Sequence, residues 1–313
     1  MNPESTTVAA GPSSTVLDSD ASTDADPADH SAADPAAHSG EIGSAEGSRD
    51  HLEGDRRRIR LRWWLEVGYV LAFYTVYTAV RNQFGSGGRF SVGAERALSN
   101  AEWVIHIEKS LGLFFESSLQ ALFLGQAWFI RIWNVFYGSL HFVVTGAVMV
   151  YLYRHFPTRY RRYRTILAAT TGLALLGFAL VPLMPPRLLG AGPPFGGSRV
   201  QYGFVDTLSK VGALWSFDSG TMQKISNQWA AMPSLHIGWS MWCALALYPV
   251  LVRRWARILV IIYPMLTLFA IIVTANHYWF DALGGAVVLG VGWFVGTHLT
   301  SRIPARPLVT LPD

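Results

Sequence analysis

From Arg56 onward the chain alternates apolar stretches with short polar connections, and each stretch runs to about 20 residues, enough to cross a bilayer as a helix. The pattern predicts an all-α membrane protein, a six-helix bundle with spans near 63–82, 128–152, 164–184, 235–252, 256–275 and 279–299. Between the first two spans, residues 92–122 mix charge with apolar positions, as in Ala94-Glu95-Arg96-Ala97-Leu98 and Ile105-His106-Ile107-Glu108-Lys109. That stretch is too polar to span and suits interfacial helices lying along the membrane surface.

Residues 1–50 have another character: they are rich in Ala, Ser, Asp, Pro and Thr, carry an acidic excess and hold no Trp, Tyr or Phe. Such a segment cannot bury enough apolar surface to offset the entropy of ordering. The expected organisation is a disordered acidic cytoplasmic tail over 1–55, a membrane domain over 56–302 and a short cytoplasmic tail over 303–313. The N-terminal segment has neither the basic start nor the apolar core of a secretory signal, and its His30, His38 and His51 read as solvated residues.

The composition, 51% hydrophobic with only 15% charged residues, agrees with the periodicity and excludes an ordinary soluble domain. A net charge of +4 does not indicate a nucleic-acid partner, because the arginines cluster at the ends of apolar runs instead of forming one basic face. They report topology. Arg56, Arg57, Arg58, Arg60 and Arg62 precede the first span; Arg154, Arg159, Arg161, Arg162 and Arg164 follow the second; Arg253, Arg254 and Arg257 follow the fourth; Arg302 and Arg306 follow the last. The positive-inside bias then places both termini and these loops in the cytoplasm of a multi-pass cell-membrane protein. The segment 185–234 and the turn near 276 face the other side.

Smaller features fit the same frame. Trp63, Trp64, Trp128, Trp133 and Trp279 are expected as interfacial anchors, and Gly284, Gly285, Gly290, Gly292 and Gly296 let the last span approach a neighbour closely. Glu66 is expected to pair with Arg62 at the cytoplasmic end of the first span. The single cysteine, Cys243, lies in an apolar span and forms no intrachain disulfide.

Against this background three outer-face segments stand out, since ionisable groups at membrane depth are costly and mark functional sites. They are Met184-Pro185-Pro186-Arg187-Leu188-Leu189, Ala230-Ala231-Met232-Pro233-Ser234-Leu235-His236, and Ala275-Asn276-His277-Tyr278-Trp279-Phe280-Asp281. His277 and Asp281 are four apart, so the carboxylate can hold one ring nitrogen's proton and free the other nitrogen to attack phosphorus. Arg187 offers a charged fork for phosphate oxygens, and Pro233-Ser234 reads as a helix start whose N–H groups favour an anion. His236 would stand one turn inside. His141 in Tyr137-Gly138-Ser139-Leu140-His141 is an ionisable group in the second span and a candidate pocket residue with Tyr137, whereas His155 and His298 read as structural. Two other classes compete: a metal centre built from His236, His277, Asp281 and His141, and a transporter.

These segments resemble the PAP2 (type 2 phosphatidic acid phosphatase) superfamily, whose signature has the forms Lys-x6-Arg-Pro, Pro-Ser-Gly-His and Ser-Arg-x5-His-x3-Asp. Pro233-Ser234-Leu235-His236 resembles the second with Leu235 in place of Gly, and His277 with Asp281 resembles the end of the third, with Ala270 and Ile271 standing where Ser-Arg would be. Arg187 matches the first loosely. The wording is similar to the inositol-phosphotransferase branch, which includes inositol-phosphorylceramide synthase, with Met184 where alanine often stands. The resemblance implies a six-span fold and a phosphoryl-transfer enzyme that uses no cofactor or metal. It implies His277 as nucleophile, Asp281 as its orienter, His236 as the acid for the departing oxygen, and Arg187 with Ser234 as the phosphate cradle. The implied substrate is a membrane lipid phosphate, with water or an alcohol-bearing lipid or glycan as acceptor. Lys224, Asn227, Gln228, Asn276 and Tyr278 are the nearest further groups for the pocket.

Overall fold

The structure, a computed structural model, describes residues 62–84, 93–191, 198, 200–213 and 228–301, all within the compact unit Arg49–Asp313. The tails expected over 1–55 and 303–313 lie outside the described residues, as do Lys224 and Asn227.

The described residues form helices joined by turns. In chain order they are α1 (Trp63–Phe84), α2 (Ala94–Ser110), α3 (Glu116–Phe123), α4 (Ala127–His155), α5 (Pro157–Leu180), α6 (Thr207–Lys210), α7 (Leu235–Leu247), α8 (Arg254–Val273) and α9 (Trp279–Ser301). A 3₁₀ turn covers Pro186–Leu188, and one isolated bridge joins Leu183 to Ala230. Four of these, α4, α5, α8 and α9, are long and apolar enough to cross a membrane, where the sequence pattern predicted six spans. The shortfall has local causes. Pro249 closes α7 in a 3₁₀ turn over Tyr248–Val250, leaving 13 residues of α-helix against the expected 235–252. In α1 the polar residues Glu66, Thr75, Thr78, Arg81, Asn82 and Gln83 dilute the apolar run. The third span starts seven residues earlier than expected because Pro157 opens α5 at its first position, where a missing N–H costs nothing.

Close packing of α9 on α5 organises the bundle. A Cβ at Gly296 would lie 2.7 Å from Ile166 Cα, and one at Gly292 would overlap Thr170, so these glycines allow the contact expected of them. Gly290 has open space around it and takes no part. α7 sits centrally, against α4, α5, α8 and α9, with Trp242 fully buried and donating its indole N–H to Tyr163 O at 2.9 Å. Cys243 is free and buried beside Thr145. The exposed apolar side chains, such as Leu180, Val252, Met265 and Phe294, suit a hydrocarbon solvent.

At one end of the bundle α2 docks on the loops. Ala97, Ala101, Val104 and Ile105 bury against Leu183, Met184, Leu188, Trp229 and Tyr278, so α2 and α3 form where predicted but α2 is a packed element. Three expectations change. Glu66 accepts hydrogen bonds from Arg164 and from Tyr160 Oη (3.0 Å), since packing of α1 on α5 gives the buried carboxylate a tertiary partner in place of Arg62. Trp279 is held against Phe115, and Trp133 against Phe129, Phe136 and Phe269, so of the five expected anchors Trp63, Trp64 and Trp128 keep the exposure.

Candidate active site

The turn between α8 and α9 carries the key residues, and backbone chemistry fixes it. Past Thr274 the chain closes a Schellman motif: Ala275 N donates to Ile272 O (2.9 Å) and Asn276 N to Ile271 O (3.0 Å). The position between them needs a left-handed residue, and Ala275 supplies it at φ 54°, a conformation costing a non-glycine residue roughly 1–2 kcal/mol. His277 and Asp281 follow at once. Asp281 is the third residue of α9, and its Oδ2 accepts the N–H of Tyr278, the residue preceding the helix, at 2.9 Å. The same oxygen faces His277 Nδ1 at 3.3 Å, so one carboxylate oxygen caps the helix and orients the imidazole.

His277 and Asp281 are 3% and 0% exposed. With Nδ1–H directed to Asp281, the His277 lone pair lies on Nε2, which faces His236 Nδ1 at 3.3 Å. The His236 ring stacks on Tyr137 (centroids 4.3 Å) and meets His141 at a tilt (4.2 Å). Both come from the region of α4 where the helix opens into a π-turn over Phe136–Leu140, and His141 Nδ1 lies 3.0 Å from Tyr137 O. π-turns recur at functional sites because they shift the register of a helix by one residue.

Ser234 precedes the first residue of α7 and is tied to the same centre: its N–H donates to Asp281 O at 2.9 Å, and Gly285 packs so closely on Ser234 O that a Cβ there would overlap it. Ser234 Oγ is buried and makes no hydrogen bond among the described residues. Arg187 sits on the 3₁₀ turn, with its backbone N–H on Ala275 O (2.8 Å). Its guanidinium donates from Nη1 to Asp206 Oδ2 (3.0 Å) and from Nη2 to Gln228 Oε1 (2.8 Å), while Nε is buried and unpartnered. Asp206 arrives on a loop held to the bundle by Gln120, which exchanges two hydrogen bonds with Val205, and by Asn134, which grips Thr207.

The structure thus brings together His277, Asp281, His236, Tyr137 and His141, joins Ser234 to them through Asp281, and joins Arg187 to their loop through Ala275. Two pocket candidates have their polar groups engaged within the turn and the loops. Asn276 turns back to Thr274, and Tyr278 is fully buried with its hydroxyl on Met184 O, its phenol pushed up by burial and by the carboxylates of Asp281, Glu108 and Glu116. Sequence reasoning missed Asp206, and it missed Glu108 and Glu116 as buried groups; Glu108 accepts the Phe280 N–H (2.8 Å) and Glu116 the Trp279 N–H (3.5 Å). A signal existed for one of them. Glu108 continues the buried stripe Ala97, Ala101, Val104, Ile105 of α2 at helical spacing. Among the described residues no three His, Cys, Asp or Glu side chains converge as a metal would require.

Fold and site together define a helical membrane protein with a buried histidine–carboxylate centre at one end of the bundle. The profile of the PAP2 superfamily matches residues 102–295, and the chain belongs to that superfamily, which supports an enzyme of the phosphatase type. No curated protein and no solved structure matches.

Proposed function

We propose that the chain is an integral-membrane phosphoryl-transfer enzyme that acts on a lipid-linked phosphate through a phosphohistidine at His277, most closely a phosphotransferase of the inositol-phosphotransferase type. The observation that carries this reading is the His277 ring, held through Nδ1 by a fully buried Asp281 with Nε2 turned to His236 at 3.3 Å. A phosphate entering the site parts the two rings. His277 Nε2 then attacks phosphorus, the phosphorus–oxygen bond to the lipid breaks, and the departing oxygen takes a proton from His236. In the second half an acceptor hydroxyl attacks the phosphohistidine, gives its proton back to His236, and the phosphorus–nitrogen bond breaks.

Arg187 Nε and Ser234 Oγ, both buried and unpartnered, are donors for the phosphate oxygens, with the N–H groups at the start of α7 beside them. The stacking of Tyr137 on His236 and the tilted contact of His141 with it fix the acid's ring. In this reading α1 and the shorter α7 complete six spans with α4, α5, α8 and α9, and the arginine clusters favour cytoplasmic termini and a site at the outer face. Near-complete burial of His277 favours an alcohol acceptor delivered by the membrane over bulk water.

The test is the purified protein in detergent with a panel of radiolabelled lipid phosphates, phosphoinositides and polyprenyl phosphates, with and without alcohol acceptors. Transfer to an alcohol, abolished in His277→Ala, is the expected result. Release of inorganic phosphate alone identifies a lipid phosphatase, and loss of activity on chelation with indifference to vanadate identifies a metal enzyme. Substrate flux without phosphate chemistry overturns the enzyme reading.

A further inference from the structure

Helix α9 opens directly onto the reacting residues, and its first N–H groups are taken by carboxylates. Tyr278 N–H donates to Asp281, Trp279 N–H to Glu116 Oε1 at 3.5 Å, and Phe280 N–H to Glu108 Oε1 at 2.8 Å. Asp281 belongs to α9 itself, whereas Glu108 comes from the end of α2 and Glu116 from the start of α3. Glu108 is 1% and Glu116 0% exposed. Their second oxygens, Glu108 Oε2 and Glu116 Oε2, accept from no N–H or O–H group, while the two carboxyls lie within hydrogen-bonding reach of each other. Two buried carboxylates this close cannot both be ionised, and a proton between them supplies the missing hydrogen bond.

We propose that Glu108 and Glu116 are positioning residues for the His277–Asp281 dyad, sharing one proton and using the remaining negative charge to fix the first turn of α9. The charge sits at the positive end of a 23-residue helix, and the pair grips Trp279 and Phe280, the two residues between Tyr278 and Asp281. Any slack in Trp279 or Phe280 would swing Asp281, and with it the His277 ring. The groups facing the pair are Asp281 and Tyr278, with Tyr202 beyond them. Burial first, then the hydrogen bond and the charge of Glu116, push the Glu108 carboxyl up to about 9. Below that pH the pair keeps its proton; as pH rises through it, a second buried negative charge appears beside Asp281 and the grip fails.

The proposal rests on His277 as the reacting nitrogen. It is tested on the full chain in detergent with Glu108→Gln, Glu108→Ala and Glu116→Gln, reading kcat and KM from pH 7 to pH 10 together with infrared difference spectra. Glutamine retains the acceptor for Phe280 N–H and donates to Glu116, so kcat at pH 7 stays within about threefold of the unmodified protein, and the decline of kcat near pH 9 moves upward. Alanine at 108 lowers kcat by about tenfold and leaves KM unchanged, since phosphate is held elsewhere. The protonated-carboxyl band at pH 7 is lost in Glu108→Gln. Should alanine prevent folding, the glutamine profile and the spectra decide. An active protein without the band, an alkaline limb identical in Glu108→Gln, or full kcat in Glu108→Ala overturns the pair and leaves the reading of His277 intact. A protein that shows the band yet turns over no phosphate ester overturns both.

Discussion

A single oxygen, Asp281 Oδ2, both accepts Tyr278 N–H and faces His277 Nδ1, and this double use separates two variants that chemistry alone would rank together. Asparagine can place its carbonyl oxygen there and keep both contacts, losing only the charge. Asp281→Asn is therefore expected to fold normally and to retain activity on the order of tenfold or more above His277→Ala. Asp281→Ala also loses the cap and is expected to be destabilised by about 1 kcal/mol in a thermal unfolding assay. His236→Ala separates the roles of the two histidines: turnover of a poor leaving group should fall far more than turnover of an activated aryl phosphate, because only the former needs a proton. Equal losses would make His236 a binding or structural residue. The i, i+4 spacing of His277 and Asp281 was legible in the sequence because a helix start puts such residues on one face. Asn276 and Tyr278 were not, since their neighbours in sequence are catalytic candidates while their partners, Thr274 and Met184, are fixed by a turn that only three dimensions reveal.

At the level of elements the glycines make the sharpest contrast. Gly285 has its Cα against the Ser234 carbonyl and Gly296 against Ile166, while Gly290 meets open space. Gly285→Ala must push α7 away from α9 and is expected to cost about 1–3 kcal/mol and most of the activity, whereas Gly290→Ala leaves both within error. Thermal unfolding in detergent with parallel turnover measurements checks the pair. The apolar pattern gave α4, α5, α8 and α9 to within a few residues, apart from the early start of α5 at Pro157. It missed the Schellman end of α8, because Ala275 stands where glycine usually signals a left-handed residue, and the π-turn of α4, which leaves no clear periodic trace in a predominantly apolar helix. Charge misled at α2. Glu108 and Lys109 look like one polar surface, but Glu108 faces inward and Lys109 outward.

For the molecule as a whole, the proposed six spans rest on the apolar pattern and the proposed sidedness on the arginines, and the sidedness is testable without a substrate. In a Cys243→Ala background, Ser198→Cys is expected to react with an impermeant thiol reagent on intact cells, and Ser44→Cys only after the membrane is broken. The reverse pattern would put the site in the cytoplasm with its residues unchanged. The membrane-spanning helical character was legible in the sequence, because bilayer thickness imposes a length that any apolar run must meet, although among the described residues four helices meet it where six were expected. The convergence of Arg187, Ser234, His236 and His277 was legible only as four residues near one membrane face; the bonds through Ala275 O, Asp281 O and Asp206 that connect them are long-range and unpatterned. The most direct test of the account is trapping the covalent intermediate: protein incubated with a ³²P-labelled lipid phosphate, quenched in alkaline detergent and assayed for label on the chain. The account predicts acid-labile, base-stable label on the unmodified protein and none on His277→Ala. Label that persists in His277→Ala, or turnover by the unmodified protein with no label trapped, would contradict it.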